Sequence, residues 1–486
     1  FSFVTCEHKA IFDSYEEPRK ENALKKILKF GGSSVADAEC IKQVASIIKQ
    51  SLQSGVEVYV VVSAMAGVTD RLAEIGKLAR NGGITEDKLG ELIDVHEDAI
   101  LLLGLDSDIE LVRSFGELST LLSETARQCP GATDDFAMWN DEFLSFGERL
   151  SARIITAYLN KIGIVAETLD ARDVILTDTN YGNAYVHYQK SYDRIRVYMM
   201  NRDKLQVITG FLGSTEYGTT STLGRSGSDY SASIFGAALN VSEIQIWTDV
   251  DGILTANPGL VDDAISIPQL TYEEAMELAH AGAKVIFPPT IIPALYKHIP
   301  IVIKNTFNPS APGSRISQDR VLDGKITVGI SSVSHVSLIR MQGAGMVGVK
   351  GINARLFTCL ADKGISVMLV SQAFSEHSTC FAINPTEIEV AVAAIETEFE
   401  YELGLKYIDK LRIESELSLV AVVGEGMQTT PGMAGIIFEV LGKSLINVEA
   451  IAQGSSGRNV SFIVRDQDVQ TALQALHKRL FERKTV

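Results

Sequence analysis

From residue 25 onward the apolar positions follow two alternating patterns. Ile27-Leu28-Lys29-Phe30 and the uninterrupted run Val56 to Val62 read as strands, the second of the kind covered on both faces. Between them Ile41, Val44, Ala45 and Ile48 recur at helical spacing. Residues 84 to 129 are mainly helical in pattern, and Asp141 to Leu150 leads into another apolar-periodic helix through Tyr158. Ile164 to Glu167, Val207 to Phe211, Ile244 to Trp247 and Ile301 to Ile303 are further strand candidates. The pattern predicts an α/β fold with an open, largely parallel sheet up to about residue 312.

Beyond residue 325 the organisation changes to an internal repeat with a fixed offset of 81 residues. Gly343, Gly345, Met346, Gly351, Phe357, Leu360, Ile365, Val367, Gln372 and Phe381 return as Gly424, Gly426, Met427, Gly432, Phe438, Leu441, Ile446, Val448, Gln453 and Phe462. Each copy reads strand, loop, helix, strand, strand, helix. The first continues into Leu405 to Ile413 as a last strand, whereas the second reaches Val486 one strand short. Lys325 to Ser331 is a spare β-rich segment, expected to complete the second copy's sheet with the first copy inserted between.

Composition adds bounds. With 486 residues, 46% hydrophobic and 22% charged, the chain has material for roughly three domains. A formal charge of −17 argues against a general nucleic-acid or anionic-membrane surface. Five cysteines without C-x-x-C encode neither a disulfide framework nor a zinc site, and none of the eight histidines forms H-E-x-x-H. The longest apolar run, Val58 to Val68, is too short to span a bilayer, so a soluble protein is expected. Residues 1–24 begin without methionine and mix charges with little periodicity, as a processed or trimmed tail would.

Three loops carry candidate chemistry. In Lys29-Phe30-Gly31-Gly32-Ser33-Ser34, glycines sit between a strand and a helix, where free N–H groups attract an anion and Lys29 adds a positive charge. A plain crossover that happens to carry a lysine is an equal alternative for this stretch alone. Gly218 to Asp229 combines glycines, hydroxyls, the Arg225 fork and a helix start capped by Ser228 or Asp229. Trp247-Thr248-Asp249-Val250-Asp251-Gly252 runs a strand into paired carboxylates, and by itself is as readily an Asp-Gly turn. No G-x-x-x-x-G-K-[ST] occurs, which disfavours a P-loop kinase.

Taken in order, Lys29 to Ser34, Val62-Ser63-Ala64 with Gly67-Val68-Thr69, Phe146-Gly147-Glu148-Arg149, Gly224 to Asp229 and Trp247 to Gly252 closely resemble the motifs of aspartate kinases, a branch of the amino acid kinase family. The likeness runs from Lys25 to the C-terminus and points to the plant, monofunctional, lysine-sensitive type. Ser33 stands where Thr is frequent, Ser226 where glycine is frequent, and Asn257-Pro258-Gly259 where many relatives carry Asp-Pro-Arg, so a nucleotide contact from that arginine is not carried over.

The resemblance implies transfer of the ATP γ-phosphoryl group, with Mg2+, to the β-carboxylate of L-aspartate at the entry to lysine, threonine and methionine synthesis. That carboxylate is ionised near neutral pH, so the task is charge compensation rather than proton removal. By resemblance Lys29 and Asp229 are catalytic, with Asp229 orienting Lys29 or the magnesium ion. Ser63, Thr69, Glu148, Arg225 and Ser228 bind aspartate, Arg225 through a carboxylate and Glu148 through the ammonium. Lys29, Gly31, Gly32, Ser33, Thr248, Asp249 and Lys284 face ATP. A solvated surface lysine is a strong alternative for Lys284.

The repeat resembles the ACT modules that bind small amino acids in biosynthetic enzymes. Gly343-Ala344-Gly345-Met346-Val347-Gly348 is also a G-x-G-x-x-G, as in nicotinamide-dependent dehydrogenases. Asp362 lies at the helix end rather than after a second strand, however, and the second copy, Gly424 to Thr429, lacks the third glycine. An amino-acid sensor with an inactive kinase domain is a further alternative, opposed by the intact Lys29, Glu148, Arg225 and Asp229. The expected division is a tail 1–24, a catalytic domain 25–312, a linker 313–335 carrying the completing strand, a first ACT module 336–415 and a second 416–486. Free lysine is expected in the first module, at Met346, Val349, Gly351, Ile352, Asn353 and Ala354, with Ile365, Ser366 and Met368 on the facing strand. Asn353 has no polar counterpart in Ala434, and helix-start amides bind a carboxylate; simple capping by Asn353 is the alternative. Resemblance to plant enzymes further implies a homodimer through the ACT modules, S-adenosylmethionine as a second effector without assigned residues, and residence in the chloroplast.

Overall fold

The structure, a computed structural model, describes residues 24–200, 202–283, 286–319, 326–374 and 377–481. The chain divides into two compact units: Phe1–Ile253 with Pro268–Tyr272 and Ile286–Arg320, and Leu254–Ile267 with Glu273–Val285 and Val321–Val486.

The first unit runs β1 (Lys25–Phe30), α1 (Ala38–Gln53), β2 (Glu57–Val62), α2 (Val68–Arg80), α3 (Glu86–Leu102), α4 (Ile109–Arg127), α5 (Phe136–Lys161), β3 (Ala166–Leu169), β4 (Leu176–Thr177), α6 (Tyr188–Met199), β5 (Leu205–Thr209), β6 (Leu212–Thr215), β7 (Thr220–Thr222), α7 (Gly227–Leu239), β8 (Glu243–Thr248), β9 (Gln269–Thr271), α8 (Pro288–Tyr296), β10 (Ile301–Asn305) and β11 (Ser314–Ser317). Eight strands form one sheet in the order β3-β5-β2-β1-β8-β10-β11-β9, while β4, β6 and β7 make a small second sheet. β1 is central, parallel to β2 on one side and β8 on the other, and its Ile27, Leu28 and Phe30 are fully buried, as a strand covered on both faces requires. β3, β5, β2, β1, β8 and β10 all run the same way, so their C-terminal ends open onto one edge. β11 runs antiparallel to β10. The short β4, β6, β7, β9 and β11 carry no readable periodicity, because two to four residues display too little alternation.

The second unit contains β12 (Gly329–Gln342), α9 (Ile352–Ala361), β13 (Leu369–Gln372), β14 (Ser378–Ile383), α10 (Ile388–Glu398), β15 (Arg412–Val423), α11 (Met433–Lys443), β16 (Ala450–Gln453), β17 (Asn459–Arg465) and α12 (Val469–Phe481). Its strands lie in the order β13-β14-β12-β15-β17-β16. The two long strands serve both repeats. Gly329 to Val333 pairs antiparallel with Val423 to Leu419 beside β17, whereas Ser337 to Gln342 pairs with β14 and Leu338 to Arg340 meets Glu414 to Arg412. The second copy thus receives a strand, Gly329 to Val333, from outside its own continuous segment, whereas the first is completed by its own Arg412 to Glu414. The changeover is a register break between Val333 and Leu338, and it coincides with left-handed backbone at His335 (φ 57°) and Glu416 (φ 57°), equivalent positions in the repeat.

Three apolar clusters hold this unit. One gathers Ile339, Met341, Leu356 and Phe381 under α9 and α10, and a second gathers Val420, Ile437, Phe462 and Leu473 under α11 and α12. A third, with Leu338, Leu369, Leu419 and Ile463, joins the opposite faces of the two copies' strands. The repeat also explains its own glycines. A Cβ at Gly343 would lie 2.1 Å from the Tyr407 carbonyl oxygen, and one at Gly424 would lie 2.3 Å from that of Ile326. Tyr407 and Ile326 are themselves 81 positions apart. These glycines therefore admit a crossing backbone, which gives the G-x-G a structural reason within the repeat.

Two opposite stability effects are expected. Gly424→Ala forces a methyl group onto backbone and should destabilise the protein by about 1–3 kcal/mol. Leu445 is 94% exposed at φ 57°, where the first copy has Gly364 at φ 70°, so Leu445→Gly should stabilise by about 1 kcal/mol. Urea unfolding of both variants measures the pair; equal midpoints would contradict the geometry.

Candidate active site

At the C-terminal edge of the sheet, Lys29 is the penultimate residue of β1 and only 7% exposed. Its Nζ lies 2.6 Å from Oδ1 of Asp229, which is in the first turn of α7. Burial makes this pair consequential, because removing either partner would strand a charge away from water. Gly31 donates its N–H to the Trp247 carbonyl at 3.1 Å, and a Cβ there would stand 3.4 Å from Lys29 Nζ. At Gly32 a Cβ would meet the Ala64 carbonyl at 3.2 Å. Ser34 rather than Ser33 anchors the turn: its buried hydroxyl lies 3.2 Å from the Trp247 carbonyl and 2.7 Å from the Thr306 hydroxyl. Ser33 remains partly exposed toward the edge.

Adjacent loops are tied to this turn. Ser63 donates its N–H to the Phe30 carbonyl at 3.1 Å, and Thr69 lies in the first turn of α2 after Gly67, whose φ of 74° only glycine adopts freely. Glu148 is 3% exposed on α5. Its neighbour Gly147 lets the helix approach, since a Cβ there would be 2.8 Å from that of Ala64. Burial pushes the Glu148 carboxyl up to about 8, against the lowering effects of backbone N–H bonds, including that of Ala64, and of the Lys29 charge. Ser228 packs so tightly on the end of β5 that a Cβ at Gly210 would fall 2.6 Å from its own. At the end of β8 the Thr248 hydroxyl reaches Asp249 Oδ1 at 3.0 Å.

Lys29, Asp229, Glu148, Gly31, Gly32, Ser33, Ser63, Thr69, Ser228, Thr248 and Asp249 thus share one edge. Arg225 does not join the buried group: it is exposed on the turn before α7, where Ser226 is held at φ 55°. Lys284 lies outside the described residues.

A layer of charges behind the edge was not assigned from sequence. Asp141 accepts the N–H groups of Gly182 at 2.9 Å and Thr222 at 2.8 Å, and the Thr222 hydroxyl at 2.9 Å, while burial raises its pKa. Glu142 receives Arg149 at 3.0 Å, Arg172 at 3.1 Å and the Thr220 hydroxyl. Arg172 also grips Asp170 through two bonds of 3.0 and 2.8 Å. Burial lowers the Arg149 pKa to about 10, and its guanidinium stacks 4.5 Å from the Phe146 ring centre. The available signal is that Asp141, Ser145 and Glu148 are polar residues at helical spacing on one face of α5.

The amino acid kinase family matches residues 25–305, and the ACT domain matches 339–399 and 420–480. Aspartokinase 1, chloroplastic, of Arabidopsis thaliana is 34% identical over 95% of this chain and 81% of that protein. The chain belongs to the aspartokinase branch of the amino acid kinase family. It also matches the bifunctional aspartokinase/homoserine dehydrogenase of Haemophilus influenzae at 35% identity over 95% of this chain, spanning 57% of that relative's length. Among solved structures, E. coli aspartokinase III superposes with a TM-score of 0.80 at 27% identity in its complex with aspartate and ADP, covering 94% of this chain and 100% of the other. Its complex with lysine and aspartate gives 0.74 at 28% identity, covering 94% and 99%.

In the first ACT module, Met346, Ile352 and Ile365 are core side chains, whereas Val349, Gly351, Ala354, Ser366 and Met368 are exposed. Residues 365–368 precede β13 rather than belonging to it. Gly351, with φ 91°, is the N-cap of α9; Asn353 instead donates to Gln372 Oε1 at 2.9 Å and accepts the Thr379 hydroxyl at 3.4 Å. Capping is therefore not what Asn353 does here.

The raised carboxyl pKa of Glu148 sets a stability test. Because the folded state holds this proton more tightly than the unfolded chain, stability is full below the ordinary glutamate range and falls as pH rises toward about 8. Glu148→Gln removes the penalty. The melting temperature of the variant relative to the parent should therefore rise between about pH 5 and about pH 8.5. A pH-independent difference would show that Glu148 is charged throughout.

Proposed function

We propose that this chain transfers the γ-phosphoryl group of ATP to the β-carboxylate of L-aspartate, giving an acyl phosphate as the first step toward lysine, threonine and methionine. The observation that carries the reading is the buried Lys29–Asp229 pair beside Glu148 at the open edge of a parallel sheet. Two anions must meet there. Lys29 and the turn amides Gly31 to Ser33 take up negative charge on the phosphoryl group, and Asp229 holds the Lys29 ammonium in place rather than acting as a base. Thr248 and Asp249 would face the nucleotide phosphates, whose charge a magnesium ion carried with them would offset. Glu148 receives the aspartate ammonium and gives up its proton as it does so, while Ser63, Thr69, Ser228 and Arg225 orient the carboxylates.

Structures of E. coli aspartokinase III with aspartate and ADP, and with lysine and aspartate, support the substrate pair and lysine as a ligand. We assign catalysis to residues 25–312 and regulation to modules 336–415 and 416–486, the second completed from the 313–335 linker. Lysine inhibits through the first module, at the exposed start of α9 around Gly351, Asn353 and Ala354 and the facing Ser366 and Met368. Dimerisation through the modules, S-adenosylmethionine as co-effector and chloroplast residence belong to the same reading, the last supported by the chloroplastic relative. No helix among the described residues is long and apolar enough to cross a membrane.

An aspartate-dependent hydroxamate assay with ATP and magnesium tests the activity. Lys29→Ala should reduce turnover by about three orders of magnitude or more, and also destabilise by about 3–5 kcal/mol by stranding Asp229. Lys29→Ala with Asp229→Asn should recover stability without turnover; near-normal turnover in either variant would remove Lys29 from the mechanism. In the same assay Asn353→Ala should weaken inhibition by added lysine, while Ala434→Ser in the second module should not. The reverse result would place lysine in the other module.

A further inference from the structure

Beside the turn that carries Arg225, the starts of α6 and α7 and one side of α8 enclose an open cavity of about 890 Å3, of whose lining only Arg225 enters the proposed phosphoryl-transfer chemistry. The volume is that of a small-molecule site. Its walls are mainly apolar, with Leu223, Phe287, Ile292 and Leu295 alongside Tyr188 and Tyr230, whose hydroxyls bond to each other and whose rings meet edge to face at 6.4 Å. The charges are one-sided. In a chain with 61 acidic residues, none lines the cavity, and Arg225, which forms no ion pair among the described residues, stands at its wall. The second lining cation, Lys190, is already paired with Glu216 at 2.5 Å. Tyr188, Gln189 and Lys190, also in the lining, form the first turn of α6, so the positive end of that helix's dipole lies at the same wall.

We propose that this cavity is a separate ligand site for a small aromatic carboxylate, its ring between the tyrosines and α8 and its anion on Arg225. The site does not depend on the kinase reading. Its consequence does: if Arg225 also holds a substrate carboxylate, an occupant that draws Arg225 into the cavity competes with aspartate.

Phenylacetate, with its uncharged counterpart phenylacetamide, provides the probe. Titration calorimetry on the full chain should show one phenylacetate per chain, and binding about tenfold weaker or worse for phenylacetamide, for Arg225→Ala and for the cavity-filling Ile292→Trp. Arg225 is exposed, so its variant tests the site even if Ile292→Trp fails to fold. No binding of phenylacetate, equal binding of the amide, or binding unchanged in Arg225→Ala would overturn the proposal. In the hydroxamate assay phenylacetate should raise the KM for aspartate and leave kcat unchanged. Binding by calorimetry with no effect on an active enzyme would refute the competition while leaving the site; an inactive enzyme that still binds would refute the kinase reading alone.

Discussion

Everything at the open edge depends on one buried ion pair. Lys29 reaches its place because β1 is the central strand, hydrogen-bonded on both sides and unable to shift without breaking β2 and β8. Asp229 reaches its place because α7 begins at Gly227, pressed against Phe211 so closely that a Cβ would stand 2.6 Å from that ring. An ammonium and a carboxylate at 2.6 Å away from water are favourable only when both backbones are rigid, since misplacement leaves an unpaired charge in a poorly solvated site. The tight glycines, the Ser34 anchor to Thr306 and the Ser228 contact at Gly210 are the means of that rigidity.

Glu148 shows the cost of such a site. A carboxyl raised to about 8 is a strained component that a purely structural helix would replace with a glutamine or an apolar residue. With its carboxyl held up by burial beside Lys29, Glu148 is, on the proposed reading, a group that becomes anionic when the aspartate ammonium arrives. The charges behind it serve position rather than chemistry: Asp141 and Glu142, seven and six residues earlier on α5, bind β7 and Arg172, and thereby fix the strand from which the Arg225 turn departs.

Much of this was legible in the chain. Buried parallel strands announce themselves by unbroken apolar runs, so β1, β2, β5, β8 and β10 were readable to within a few residues. The repeat offset identified the ACT pair and the missing strand, because Gly343 and Gly424 mark the same backbone crossing. Long-range polar pairing was not legible. Thr220 and Glu142 are 78 positions apart, and nothing local in either marks the bond. Nor did the helix-start pattern reveal that Asn353 turns to Gln372, since capping and bonding to a neighbouring strand demand the same residue type.

The sharing of β12 and β15 bears on regulation. Two modules joined by a flexible linker could respond separately; here a change at Arg340 to Gln342 in the first copy and one at Gly329 to Val333 in the second act on the same strand. The chain immediately after the Thr248 to Gly252 loop is held in this unit too: the Thr255 carbonyl accepts from Ile330 at 2.7 Å, and its hydroxyl lies 2.8 Å from Nε2 of the buried His477. Only a few residues of backbone separate that anchor from the loop assigned to the nucleotide. On the proposed reading, an effector needs no contact with Lys29 to alter catalysis. It need only favour one arrangement of β12, and a coupling of about 1–3 kcal/mol along that strand suffices to change substrate affinity by about five- to 150-fold.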